Sequence, residues 1–397
     1  MKNQRNSAID LLKIFSMLGV ILLHYNNRGI GQAFNHVPLF CAKSYLLYFL
    51  QAVFVCAVNV FVLISGYFMA NSTKVDLKKP IRLLVQVVVF RELIYIVKTL
   101  CYGRTLQATY LWRFLLPQSW FAILYVVVYV FSPFINRFLS ALSAKSQRTF
   151  LYLAFFLFSL WPYSVELLQE FSGISLNGLG SIGMYGGQFG YTIVNFFLMY
   201  VIGAILRRRS GDDKLLPNLI GLAVCWCLIF GFGYFLEAQG RDPRFSFCYF
   251  NPAVILSAVF LFRCFNKLQI KSNAFISSIS KATFSVYLLN STLIAELVHT
   301  QRYVQGNGWI MLVHLVVTCV AVYGLCWLAQ LLYDLITKPI YRLLDRIPLK
   351  LIIHAEPEAE EQPVGGSGAA DRPEVCSLGA GKMGGGSQAV CRCPAGL

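Results

Sequence analysis

Residues 7–28 read SAIDLLKIFSMLGVILLHYNNR, and how this stretch is understood decides the fold. Its apolar run is close to the ~20 residues that a helix needs to cross a bilayer. Lys2 and Arg5 precede it, as they would precede a secretory signal. No small-x-small cleavage site follows, however, and the chain continues His24-Tyr25-Asn26-Asn27-Arg28. The segment therefore reads as a first transmembrane helix, entered from the cytoplasm.

The rest of the chain has the same character. It is 57% hydrophobic and 13% charged, against about 25% charged in an ordinary globular domain. Apolar runs suited to spanning helices lie at 8–25, 45–69, 80–101, 119–138, 149–163, 190–206, 216–236, 249–265, 274–298 and 309–336. The expected fold is an all-α integral membrane protein of about ten transmembrane helices. With the N-terminus inside and the connections alternating, twenty Lys and Arg fall on cytoplasmic segments and eight on the opposite side. That bias follows the positive-inside rule and puts the C-terminus inside as well. The net charge of +16 then belongs to cytoplasmic loops, not to a nucleic-acid partner.

Residues 1–350 form the expected membrane domain. From 351 to 397 the composition turns acidic and then rich in Gly, Ala, Pro and Ser, which reads as a disordered cytoplasmic tail. The connection 164–189 is glycine-rich and aperiodic, and an irregular outer loop is expected there. The twelve cysteines form no disulfide or zinc pattern, and no metal site is expected.

Ionisable residues inside a membrane helix are costly and mark functional surfaces. The first helix carries Asp10, Lys13 and His24, which fall within about 60° of one another at roughly 100° per residue. The remaining faces are Leu, Ile, Val and Phe, so this stripe lines something polar. Lys13 and His24 are separated by about 16 Å along the axis at 1.5 Å rise per residue. A substrate that engages both must be long, anionic near Lys13 and reactive near His24, as an acyl-CoA is. Asp10 is too far from His24 to orient it and suits a partner for Lys13, three residues on.

These residues carry a family resemblance. The Lys13-x10-His24 pair resembles the first helix of the membrane acyltransferase-3 family, whose members move acyl groups, usually acetyl from acetyl-CoA, onto cell-surface sugars. Phe61-Val-Leu-Ile-Ser65-Gly66-Tyr67 resembles that family's second-helix element, and it is followed by Lys78, Lys79 and Arg82. Trp120, Tyr125 and Pro133 resemble its fourth-helix segment, and Phe284-Ser-Val-Tyr287-Leu-Leu-Asn290 its ninth. The resemblance covers roughly residues 5–345. It departs at Asn290, where the family often carries histidine. Asparagine cannot take a proton near neutral pH, so His24 would carry the acid–base work alone.

The resemblance implies an integral membrane O-acyltransferase of the bacterial plasma membrane. Its donor would be acetyl-CoA and its acceptor a hydroxyl of an envelope sugar or polysaccharide, lipid-linked or not. His24 would act as general base, or be acylated and pass the group on. Lys13, Lys79 and Arg82 would hold the donor's phosphates. Asp10, Ser65, Gly66, Tyr67, Trp120, Tyr287 and Asn290 would support the site. Blander roles compete: Lys13 as a snorkelling lysine, Ser65-Gly66 as a packing point, Lys79 and Arg82 as positive-inside residues, and Tyr287 and Asn290 as interhelical glue. A transporter or flippase for a polar solute or lipid-linked glycan is the alternative, since such proteins also line paths with ionisable residues. No internal repeat supports it.

Overall fold

The computed structural model describes residues 7–103, 105, 107, 115–176, 178–180, 188–209 and 214–352. Ten principal helical segments occupy the ten apolar runs: α1 (Ser7–Asn26), α2 (Ala42–Met69), α3 (Lys78–Cys101), α4 (Trp120–Ala141), α5 (Ala144–Ser172), α6 (Ile193–Arg208), α7 (Leu215–Ala238), α8 (Pro252–Lys267), α9 (Ala274–Lys281 and Thr283–Leu297) and α10 (Gly308–Asp345). Six of them, α1, α2, α4, α5, α7 and α10, are long and apolar enough to cross a membrane. Among the others, α6 and α8 have only 16 residues each, and α3 carries six charged residues in its 24.

The outward faces are apolar. Phe131, Phe134 and Phe138 on α4, Leu216, Ile220 and Leu228 on α7, and Leu332, Leu335 and Ile336 on α10 are all exposed. Apolar surface on that scale would aggregate in water and suits a lipid environment. The buried interior joins α1, α2, α6 and α8 through residues such as Leu12, Leu63, Phe196 and Phe262.

α1 runs through the middle of the bundle, packed by α2, α8, α9 and α10. Just after it the chain reverses. Asn27 Oδ1 accepts from the backbone N–H of Gly29 and Ile30 at 2.8 and 3.1 Å, and Gly31 N–H returns to the His24 carbonyl at 3.0 Å. A Cβ on Gly31 would stand 2.3 Å from the Tyr25 carbonyl oxygen, so only glycine permits this close return.

α2 and α6 cross backbone to backbone. A Cβ on Gly66 would lie 2.1 Å from Tyr200 O, and one on Gly203 would lie 2.2 Å from Leu63 O. This is the small-residue contact by which membrane helices gain packing when no hydrophobic drive separates them from lipid. A polar link runs alongside it: Asn195 Nδ2 donates to Asn59 Oδ1 at 2.9 Å, and Asn59 Nδ2 donates to Tyr249 O at 2.9 Å.

Two features depart from expectation. The fifth helix does not end near residue 163 but continues to Ser172 through a wide π turn at Phe156–Leu160. The extension is amphipathic and anchored by the Arg241–Glu170 ion pair at 3.1 Å, so the first nine residues of the expected loop 164–189 are helix; residues 177 and 181–187 lie outside the described residues. The second departure is a two-stranded antiparallel sheet, β1 (Lys74–Asp76) with β2 (Lys350–Ile352), in which Asp76 faces Lys350. It takes up Leu351 and Ile352, which the sequence reading assigned to the tail. The remainder of that tail, 353–397, lies outside the described residues.

Candidate active site

His24 lies in the last turn of α1, two residues before its end at Asn26, half-buried, with its Nδ1 against Oδ1 of Asn290 on α9. The amide of Asn290 is held in one orientation. Its nitrogen donates to the carbonyls of Val286 at 2.6 Å and Tyr287 at 3.1 Å, which leaves the oxygen for the imidazole. An oxygen only accepts, so Nδ1 must carry the proton and Nε2 keeps its lone pair. That tautomer suits a general base.

The side chain of His24 borders a cavity of about 1340 Å³. Trp120, Tyr191, Tyr249 and Tyr287 give it an aromatic wall, with Trp120 and Tyr191 ring centroids 4.2 Å apart. Arg91, Lys98 and Glu296 add charged groups to its lining. A second cavity of about 490 Å³ lies along the same helix and is bordered by Lys13, Met17, Ser65, Lys79 and Tyr125. The two share Val20, Val58 and Tyr287 in their walls. Lys13, Met17, Val20 and His24 recur at intervals of three or four residues, so one face of α1 borders both spaces.

The expected site residues divide into two groups. Lys13, Lys79 and Ser65 border the smaller cavity, His24 and Trp120 the larger one, and Tyr287 both. Lys13 Nζ lies 3.6 Å from Asp10 Oδ1, and the buried Asp10 also accepts from Ser280 Oγ at 3.0 Å. Ser65 Oγ donates back to Phe61 O at 3.0 Å and reaches Tyr125 OH at 3.4 Å.

Three residues are drawn elsewhere. Arg82 pairs with Asp345 at 2.6 Å and lies over the Tyr341 ring, so it borders neither cavity. Tyr67 packs on Phe262 and accepts from Arg207 at 3.3 Å. Gly66 is occupied by the crossing of α2 and α6.

Other wall residues were not singled out from sequence. Lys98 and Glu296 pair at 2.5 Å, and Tyr102 donates to the same carboxylate. Arg91 donates to the carbonyl and to Oε1 of Gln118, the latter at 3.0 Å. Arg91 and Lys98 are seven residues apart on α3, two helical turns on one face. That spacing was a readable signal. Their partner Glu296 on α9 was not, because it depends on how the helices pack.

The arrangement provides a base at the edge of a roomy, partly aromatic space, with a cation-bordered space adjoining it. A family model described as an acyltransferase domain matches residues 6–331. No curated protein matches the chain, and no solved structure does.

Proposed function

Since the chain belongs to the acyltransferase-3 family and is a multi-pass membrane protein, we propose that it transfers an acyl group from cytoplasmic acyl-CoA to a sugar hydroxyl. The observation that carries the proposal is the His24–Asn290 pair at the edge of the larger cavity, above the space bordered by Lys13 and Lys79. The donor is acetyl-CoA. Its anionic end lies towards Lys13 and Lys79 and its thioester towards His24.

In the reaction, Nε2 of His24 takes the proton of the acceptor hydroxyl. The hydroxyl oxygen attacks the thioester carbonyl, the C–S bond breaks, and the departing thiolate takes the proton back from the imidazolium. Asn290 orients the ring and holds its tautomer. The acceptor is an envelope sugar or polysaccharide, and Trp120, Tyr191 and Tyr249 offer ring faces against which a pyranose packs.

The proposed topology has ten crossings with both ends cytoplasmic in the bacterial plasma membrane. Its support is the match between ten helical segments and ten apolar runs, together with the distribution of Lys and Arg. The proposed domain division is a membrane domain over 1–350 and a tail over 351–397, adjusted for the strand at Lys350–Ile352.

The test is transfer of labelled acetyl from acetyl-CoA to a panel of lipid-linked and free glycans by the protein in proteoliposomes. Label that moves to an alkali-labile ester on a glycan is the expected result. Label that stays on CoA with every acceptor, while an unmodified glycan crosses the bilayer, would favour a transporter.

A further inference from the structure

A third cavity, of about 390 Å³, adjoins the second. It is bordered by Lys74, Lys79, Lys350, Asp76, Tyr129 and Phe68, and it shares Lys79, Phe68 and Met69 with the space that holds Lys13. Three lysines therefore converge here from three parts of the chain: β1, the start of α3, and β2. The β1–β2 pairing brings Lys350 to this place, setting it opposite Asp76.

The neighbouring cations are otherwise engaged. Lys78 Nζ donates to Asp345 O at 2.8 Å, and Arg82 pairs with the Asp345 carboxylate. Among the described residues, Lys74, Lys79 and Lys350 have no carboxylate within ion-pair distance. Asp76 turns its Oδ1 to the backbone N–H of Lys78 at 3.2 Å. Three lysines against one carboxylate give the pocket a positive balance, and an anion is the ligand such a pocket attracts. Phe68 and Tyr129 add ring faces beside it.

We propose that this pocket takes the phosphate groups of the donor's nucleotide, a reading that rests on acyl-CoA being the donor. The donor would then thread three adjoining spaces: nucleotide phosphates at Lys74, Lys79 and Lys350, the diphosphate at the foot of the pantetheine arm beside Lys13, the arm itself past Ser65, and the thioester at His24. Lys350 lies beyond residue 331, where the family match ends. This strand is thus a contribution of the chain's own C-terminal segment to donor binding.

The experiment compares two donors in nanodiscs of neutral lipid: acetyl-CoA, and S-acetylpantetheine, which has the thioester arm without the nucleotide phosphates. The variants are Lys74→Glu, Lys350→Glu and Lys350→Arg, with Lys338→Glu as a control for net charge. The KM for acetyl-CoA should rise about tenfold in each Lys→Glu pocket variant, the size of one lost charge-assisted contact. Lys350→Arg and Lys338→Glu should leave it unchanged, and turnover of S-acetylpantetheine should be unaffected throughout.

Equal effects on both donors, or on neither, overturn the proposal while leaving the donor reading standing. An anionic lipid headgroup offers the same phosphate chemistry. If Lys350→Glu changes only the response to added phosphatidylglycerol and not the KM for acetyl-CoA, the pocket serves lipid and the proposal fails. If the wild-type protein binds no CoA at all, the donor reading fails with it.

Discussion

Asn290 presents its amide oxygen to Nδ1 of His24 because its amide nitrogen is already committed to the carbonyls of Val286 and Tyr287 in its own helix. A residue that cannot titrate thereby decides which nitrogen of its neighbour can. In the proposed reaction this makes a division of labour: His24 would move the proton, and Asn290 would keep the imidazole in the tautomer and direction that moving it requires.

Asn290→Ala should therefore lower kcat by about 10²-fold, within the range contributed by a positioned general base. The KM for acyl-CoA should change little, because Asn290 borders neither donor-side space. Asn290→Asp, which restores an acceptor opposite Nδ1, should recover much of the rate. Steady-state kinetics on the three proteins checks this. A loss confined to KM would contradict it.

Lys13→Gln should raise the KM for acyl-CoA about tenfold with kcat nearly intact, the signature of binding that is uniform between ground and transition states. Asp10→Ala should act in the same direction, since Asp10 holds the Lys13 ammonium at 3.6 Å. The double variant should fall short of the product of the two, as coupled neighbours do. Independent effects would mean that the pair does not act together on the donor.

Trp120→Leu should weaken the acceptor and spare the donor. The indole lies 4.2 Å from the Tyr191 ring in the aromatic wall, and losing one ring face is worth about 1 kcal/mol. A rise of about fivefold in acceptor KM is expected. The decisive check is whether the donor KM, measured at saturating acceptor, stays constant.

Gly66→Ala should destabilise the protein by about 1–3 kcal/mol, as overpacking does. Its new methyl would meet Tyr200 O at 2.1 Å, and that neighbour is backbone of the crossing helix. Gly324→Ala on α10 meets nothing within 4 Å and should be neutral or slightly stabilising. Thermal unfolding of both in one detergent separates them.

These sites differ in how far the chain alone could reveal them. The helices were legible because a bilayer demands long apolar runs, and all ten runs are occupied by helix. The cavity-bordering face of α1 was legible because helical spacing puts Lys13 and His24 in one stripe. What hydropathy cannot see is pairing between distant segments. Arg82 reads as a donor ligand beside Lys79, yet Asp345 at the far end of the chain claims it. Strands of three residues, such as Lys74–Asp76 and Lys350–Ile352, carry no periodicity to read. The run to Ser172 was hidden by polar residues on one side of α5, which a spanning-helix search treats as loop. Glu296 beside Lys98 and Tyr102 depends on the docking of α9 against α3, which no local pattern encodes.

The central claim is that His24 drives acyl transfer to an envelope glycan. It is tested most directly by measuring alkali-labile acetyl on envelope glycans by mass spectrometry in cells that lack this chain, express it, or express His24→Ala. The amount of each protein in the membrane is quantified in parallel. The account predicts that ester-linked acetyl appears with the wild-type chain and disappears with His24→Ala at equal protein abundance. Undiminished acetyl with His24→Ala would contradict it.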